Sequence, residues 1–405
     1  MSEERKDNIR NRTVFTGDNL PVLRRMADSS VDLIYLDPPF NSRRDYAAPI
    51  GSRAAGATFR DTWTLSDIDE AWIDDVAAAN PGLARLIDAV GAVNGDGDNS
   101  YLVMMAVRLI EMQRILKGTG CLYLHCDPTM SHSLKLLLDA IFGRDRFRNE
   151  VVWWYGGGGA STKYWARKHD ILLYYSKGDD WTFNVDSVRE AHKWDKGQKR
   201  ADGSSRDLEK GKLPDDVFRM HGVMPWAKER VGFPTQKPLS LLERIIEASS
   251  NEGNWVLDPF CGCATTCVAA ENLKRRWIGI DISPKATELV VDRFSGTGQL
   301  TLLSNQIISR EDLPDRNEQY DRTNVINALF AAQDGCCLGC GHYFPKRNLT
   351  LDHIVPQALG GPDVKSNLQL LCGACNSEKG TRSMAHFMAI RARRGYTPAH
   401  NRPSA

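Results

Sequence analysis

Two short apolar runs that end in abrupt turns constrain this chain more than anything else in it. Val31–Leu36 runs into Asp37-Pro38-Pro39-Phe40. Residues 255–257 run into Asp258-Pro259-Phe260-Cys261-Gly262-Cys263-Ala264-Thr265-Thr266, about two hundred positions later. Each run has the length and composition of a buried strand. Around them strands and helices alternate. Val14 opens a strand, followed by a turn at Gly17-Asp18 and an amphipathic helix through Leu20, Val22, Leu23 and Met26. Further strands are expected at 121–125, 151–155, 170–175 and 277–280. Helices are expected at 101–116, 131–142, 239–248, 265–273 and 284–294, the first of them stopped by Gly118-Thr119-Gly120. This alternation implies a doubly wound α/β sheet with helices on both faces over residues 10–295.

The two turns differ in chemistry. An aspartate that closes a strand, followed by a glycine that lets backbone pass close to a ligand, suits a nucleotide-like cofactor at Asp258, Phe260 and Gly262. Asp281 closes the next strand, where an acid meets ribose hydroxyls in nucleotide-binding α/β folds. The turn has neither G-x-G-x-x-G nor P-loop spacing, which argues against a dinucleotide or a nucleoside triphosphate. At the other turn, Asp37 can accept one N–H of an amino group and the Pro38 carbonyl a second. The stiff link to Pro39 fixes that carbonyl's direction, and Phe40 can stack on a base. Taken alone, each turn could also be an ordinary strand end.

With 405 residues the chain has room for two or three domains. Its net charge of +1 leaves nucleic-acid binding to local basic patches. One such patch is Lys193, Lys196, Lys199, Arg200, Arg206, Lys210 and Lys212, with Trp181 and Trp194, in a polar stretch at 181–230. The segment 42–100, with Trp63 and Trp72, reads as part helix and part loop. The run Gly156 to Gly159 is expected to be mobile or to shape a tight loop. Trp153, Trp154 and Tyr155 are read as core in preference to base-stacking residues. No apolar run reaches membrane-spanning length and the N-terminus has no h-region, so a cytoplasmic protein without membrane contact is expected.

Ten cysteines in a chain with no signal peptide favour metal over disulfides. Cys337-x2-Cys340 and Cys372-x2-Cys375 have the spacing of a structural zinc site, in a module too small to fold on its core alone. Cys336 is a neighbour that could compete for the metal. Residues 296–325 read as a linker, 326–395 as the zinc module, and Arg391, Arg393, Arg394 and Arg402 as a basic tail.

The ordered set Gly17-Asp18-Asn19-Leu20, Asp37-Pro38-Pro39-Phe40-Asn41, His125-Cys126-Asp127-Pro128, Lys168-His169-Asp170-Ile171-Leu172, Thr235-Gln236-Lys237-Pro238 and Asp258-Pro259-Phe260-x-Gly262 resembles the β class of DNA amino-methyltransferases. The resemblance implies a Rossmann-like fold and double-stranded DNA as partner. It also implies S-adenosylmethionine held by Asp18, Thr235, Gln236, Lys237, Pro238, Asp258, Phe260, Gly262, Thr265 and Asp281. Asp37, Pro38, Pro39 and Phe40 would hold a flipped base, with 181–230 as target-recognition region. Cys263 stands where the family often has glycine or serine. The opening aspartate leans toward adenine N6 and leaves cytosine N4 open.

Leu349-Thr350-Leu351-Asp352-His353, Gly360-Gly361, Asn367 and Asn376, set between and after the cysteine pairs, resemble the HNH endonucleases with a four-cysteine zinc site. The resemblance implies a small zinc-stapled ββα-metal domain. His353 would be the general base, Asp352 and Asn376 the ligands of one Mg²⁺, and Asn367 a brace for the His353 loop. His342 and His386 are read as surface or packing residues. One such site cuts one strand at a time, so a clean double-strand break implies a homodimer or two binding events. Two alternatives stay open: the zinc module only binds DNA, or the nuclease is the main activity and the methyltransferase fold reads the target.

Overall fold

A computed structural model of the chain describes residues 9–42, 44–49, 51–62, 64, 70–157, 160–191, 211–295, 308–310, 322–354, 356, 367–394 and 396. It resolves into two compact units, Asn11–Asp312 and a second that contains Leu313–Ala405.

The larger unit is built on a nine-stranded, mostly parallel sheet. Its strands are β1 (Thr13–Thr16), β2 (Val31–Leu36), β5 (Leu116–Cys126), β6 (Phe147–Trp154), β7 (His169–Ser176), β8 (Val217–Arg219), β9 (Trp255–Asp258), β10 (Arg276–Asp281) and β11 (Ile308–Arg310). They lie in the order β11-β1-β10-β9-β2-β5-β7-β6-β8, with β7 antiparallel to both its neighbours. A separate hairpin pairs β3 (Arg44–Ala47) with β4 (Thr58–Asp61). The helices are α1 (Asn19–Arg25), α2 (Glu70–Ala79), α3 (Pro81–Asn94), α4 (Asp96–Ile115), α5 (Ser131–Phe142), α6 (Leu239–Ser249), α7 (Thr265–Asn272) and α8 (Pro284–Ser295).

Successive residues of a strand face opposite sides, so a sheet buried on both faces reads as a continuous apolar run. Tyr174 and Tyr175 of β7 show both sides covered. Tyr174 packs in the cluster formed by Leu241, Leu242, Ile245 and Ile246 of α6. The Tyr175 hydroxyl donates to Asp139 of α5 at 2.7 Å. Of the three aromatics at 153–155, Trp153 is core and donates its Nε1–H to the Met220 carbonyl at 2.9 Å. Trp154 is exposed, and Tyr155 is half-buried.

Two expectations need correction. Helix α4 ends at Ile115 and β5 starts at once, so Gly118-Thr119-Gly120 lies inside a strand and stops no helix. Gly120 is small for another reason: a Cβ there would sit 2.8 Å from the Asp32 carbonyl oxygen. In the stretch read as linker, Ile308–Arg310 is the sheet's edge strand, parallel to β1, and a helix starts at Arg322.

The smaller unit contains α9 (Arg322–Ala332), an antiparallel pair β12 (Leu349–His353) and β13 (Leu368–Cys372), then α10 (Gly373–Lys379) and α11 (Met384–Arg393). Phe387, Leu370 and Leu371 pack around its cysteines. Trp63, Gly159, Lys193, Trp194, Lys196, Lys199, Arg200, Arg206, Lys210, Gly360, Gly361 and Arg402 lie outside the described residues. Lys212 pairs with Glu190 and Asp215, and Arg148 lies over the Trp181 ring at 3.6 Å.

Candidate active site

Strands β2 and β9 are parallel neighbours, with Leu33 beside Val256 and Ile34 beside Leu257. Their C-terminal ends, and the two turns that follow them, therefore meet at one edge of the sheet. The chain leaves β9 toward β10 on one side and β2 toward β5 on the other. Such a divergence is where open α/β sheets bind ligands. Strands β1 and β10 end at the same edge, with Thr16 beside Asp281.

A cavity of about 560 Å³ occupies this crevice. Its wall includes Asp18, Asp37, Pro38, Pro39, Phe40, Thr235, Gln236, Lys237, Asp258, Phe260, Gly262, Thr265 and Asp281. Pro238 stands outside that wall, as the N-cap of α6.

Three of the carboxylates in this wall, Asp258, Asp281 and Asp18, stand at or just after the ends of β9, β10 and β1. Asp258 is buried, and burial pushes its carboxyl up to about 7 although the Thr266 hydroxyl and the Phe260 N–H both bond to it. Asp281 is also raised by burial, and it accepts the N–H groups of Gly262 and Ser283, each at 2.8 Å. Asp18 caps α1 and accepts from Arg108 at 2.7 Å. Arg108 is buried in α4 and also bonds the Asn19 side chain at 2.7 Å and the Met104 carbonyl at 2.9 Å. Asn19 in turn donates to the Pro259 carbonyl at 2.7 Å, which ties the turn after β1 to the turn after β9. Gly262 has φ +49°, and a Cβ there would lie 3.0 Å from the Phe233 ring. A buried carboxylate facing open space beside a glycine-lined approach fits a ligand that carries an ammonium group. The Thr265 hydroxyl accepts from buried Arg293 at 3.0 Å. Gln236 braces its own loop, accepting from the Val231 N–H and donating to the Glu229 carbonyl.

The base-side motif carries a cation that its own sequence does not contain. Lys237 is buried, donates to Asp37 Oδ2 at 2.6 Å, and lies 5.3 Å from the Phe40 ring centre. Phe40 stacks on His125 at 5.8 Å between ring centres. His125 is fully buried and is hydrogen-bonded to Tyr35 on one side (2.8 Å) and Asp170 on the other (3.2 Å). Burial, then the charge of Asp37, holds the Tyr35 hydroxyl well above its ordinary value, so it stays neutral. The loop after the motif is fixed by a buried acid: Asp61 accepts the N–H groups of Asn41 (2.6 Å) and Ser42 (3.0 Å). A second cavity, of about 1060 Å³, shares Phe40, Tyr46 and Thr235 with the first.

Sequence reasoning missed Arg108, Thr266, Asp61 and the Tyr35–His125–Asp170 chain. Arg108 could have been found, as the one cation in the otherwise apolar stretch 101–107 and 109–110.

In the smaller unit the Sγ atoms of Cys337, Cys340, Cys372 and Cys375 lie within 4.8 Å of one another, and all four residues are buried. Cys340 and Cys372 are 4.0 Å apart. A tetrahedron with the usual Zn–S bond of about 2.3 Å has edges of about 3.8 Å, so the set suits zinc. Cys336 stays outside this group, with its thiol toward the Asp334 carbonyl. The pair expected to hold magnesium fits less well. The Asp352 carboxylate already pairs with the buried ammonium of Lys379 at 3.0 Å and accepts from Gln369 at 2.9 Å. Lys379 also donates to the His353 carbonyl at 2.8 Å. Asn376 donates its Nδ2–H to Thr350, which leaves Oδ1 as acceptor. Asn367 is buried, and its carbonyl accepts the Ile354 N–H at 2.8 Å. Among the described residues the four cysteines are the one group of three or more His, Cys, Asp or Glu that could hold a metal.

Residues 31–293 match the family model for DNA methylases, and residues 337–389 match a model for HNH endonucleases. The type II methyltransferase M.EcaI of Enterobacter cloacae is 31% identical over 260 residues, covering 48% of this chain and 58% of that one. This chain thus spans little more than half the length of that relative. The DNA adenine methyltransferase YhdJ of Escherichia coli K12 is 28% identical over 290 residues, covering 70% of this chain and 82% of that one. A solved structure of PvuII DNA methyltransferase, described as cytosine-N4-specific, aligns at 16% identity and a TM-score of 0.46, covering 76% of this chain and 98% of that one.

Proposed function

The chain belongs to the DNA methylase family, and from that premise we propose that it methylates an exocyclic amino group in DNA, adenine N6. The observation that carries the reading is the meeting of Asp37 and Asp258 in one cavity. S-adenosylmethionine would supply the methyl group as an electrophilic sulfonium, held by Asp258, Asp281, Asp18 and the approach at Gly262. Asp37 and the Pro38 carbonyl accept the two amino hydrogens. That raises electron density on a nitrogen whose lone pair is otherwise delocalised into the ring. Phe40, backed by His125, stacks on the extruded base. The aspartate that opens the motif supports adenine, as does the likeness to the Escherichia coli DNA adenine methyltransferase.

For the smaller unit we propose strand cleavage, with His353 as the base that activates water and zinc as the staple of the fold. Together the two units would form a restriction–modification pair in one chain. One observation favours a second reading, in which this unit only binds DNA: Asp352 already pairs with the Lys379 ammonium, which competes with a cation for that carboxylate.

A plasmid assay with magnesium, with and without S-adenosylmethionine, separates the two when run beside His353→Ala. Cutting that needs His353 and falls with added cofactor supports self-limiting cleavage. Binding without cutting supports the second reading.

A further inference from the structure

Residues 160–168 carry chemistry that the cofactor cavity does not use. They follow β6 and lead into β7, two paired strands whose register sets Trp154 beside His169 at the root of the loop. Trp165 is 96% exposed and Tyr164 66%. A tryptophan left almost wholly in water is unusual, because its ring is among the largest apolar surfaces a side chain can bury. The loop is also cationic: Lys163, Arg167 and Lys168 lie within six residues, and 160–168 contains no acid. Ser161 Oγ accepts the N–H groups of Lys163 (3.2 Å) and Tyr164 (3.3 Å), which defines the turn that presents them.

The place of the loop gives this surface a meaning. The second cavity opens on Phe40, and Tyr164, Ala166 and Arg167 form part of its wall. Trp165, between them, stands in solvent. The acids of that cavity are already engaged: Asp98 by Asn41 and Asn94, Asp127 by the N–H groups of Thr129 and Met130, Asp170 by His125. What the loop itself offers a partner is the positive charge of Lys163, Arg167 and Lys168 and the flat aromatic surface of Tyr164 and Trp165. Phosphates and stacked bases are the surface that answers both.

We propose that duplex DNA seats on this rim and that Trp165 enters the base stack at the position the target base vacates. The inference rests on the amino-methyltransferase reading. A base drawn to Phe40 leaves a gap in the stack, and an inserted flat apolar ring restores part of the stacking lost. Lys163 and Arg167 would meet the flanking phosphates.

The test uses the full chain and an oligonucleotide duplex bearing the site mapped by sequencing a methylated plasmid. Two forms of the duplex are compared, one with the target base paired and one with it mispaired. Trp165→Ala should lower kcat/KM on the paired form by on the order of tenfold or more, and on the mispaired form by no more than about twofold, because an unpaired base leaves the stack at little cost. Trp165→Phe should keep most of the activity. Binding of S-adenosylhomocysteine by both variants should match the parent, which reports an intact fold. Equal losses on the two forms, or no loss on either, overturn the wedge. If the parent chain methylates no DNA at all, the amino-methyltransferase reading fails instead.

Discussion

Acid should weaken ligand binding in the cofactor cavity through one residue, Asp258. Burial pushes its carboxyl up to about 7, against the opposing bonds from Thr266 and Phe260. In the empty protein the carboxyl is then about half protonated at neutral pH. A ligand ammonium binds only the ionised form, so binding near pH 7 must expel about half a proton. Below pH 7 affinity should fall about tenfold per unit, which makes roughly two orders of magnitude between pH 8 and pH 5. Asp281, raised by the same burial, can only steepen the acid limb. Isothermal titration of S-adenosylhomocysteine, in buffers of different ionisation enthalpy, reads both affinity and protons released. Asp258→Asn should bind weakly and lose the pH dependence centred near 7. The same shift sets the sign for stability. The folded carboxyl holds its proton above the unfolded value of about 4, so the empty protein loses stability as pH rises from about 4 to about 7. Above that the profile flattens, with a total on the order of 4 kcal/mol. Affinity that ignores pH, or no proton release near pH 7, refutes the reasoning.

Three further perturbations have expected outcomes. Stripping metal with a chelator, or Cys372→Ser, should unfold the smaller unit while the larger one keeps its melting transition, because four buried thiols there stand in place of a large core; tryptic digestion before and after chelation reads this. Arg108→Met leaves the Asp18, Asn19 and Met104 acceptors without their shared donor. It should cost about 3 kcal/mol in urea denaturation and weaken S-adenosylhomocysteine binding. Lys379→Met leaves Asp352 without its cation and should destabilise the smaller unit by about 3–5 kcal/mol; faster zinc release to a colorimetric chelator would show it, and unchanged release would count against a structural ion pair.

What the sequence disclosed follows from how each feature is encoded. The strand ends at Asp37 and Asp258 were legible because a buried strand and its turn are local patterns. Their adjacency was expected only through the order of the motifs, and the pairing of Ile34 with Leu257 supplies it. The role of Lys237 was not legible. The Thr-Gln-Lys-Pro segment reads as cofactor contact, yet its lysine reaches Asp37, two hundred positions away. Gly118 and Gly120 read as a helix stop because glycine signals endings locally, whereas the constraint at Gly120 is a neighbouring strand. The three-residue β11 has too few residues for periodicity to show, and its pairing with β1 spans most of the chain. In the smaller unit the cysteine spacing was sufficient to pick out the four thiols that the fold brings together. That Lys379 occupies Asp352 depends on how α10 packs against β12, which spacing does not report.

The measurement that tests the central claim most directly is single-turnover methyl transfer from labelled S-adenosylmethionine to unmethylated plasmid, followed by nucleoside mass analysis, for the parent chain and Asp37→Ala. The account predicts N6-methyladenine from the parent, and none from Asp37→Ala although that variant still binds S-adenosylhomocysteine. Label found only as C5-methylcytosine, or undiminished transfer by Asp37→Ala, would contradict it.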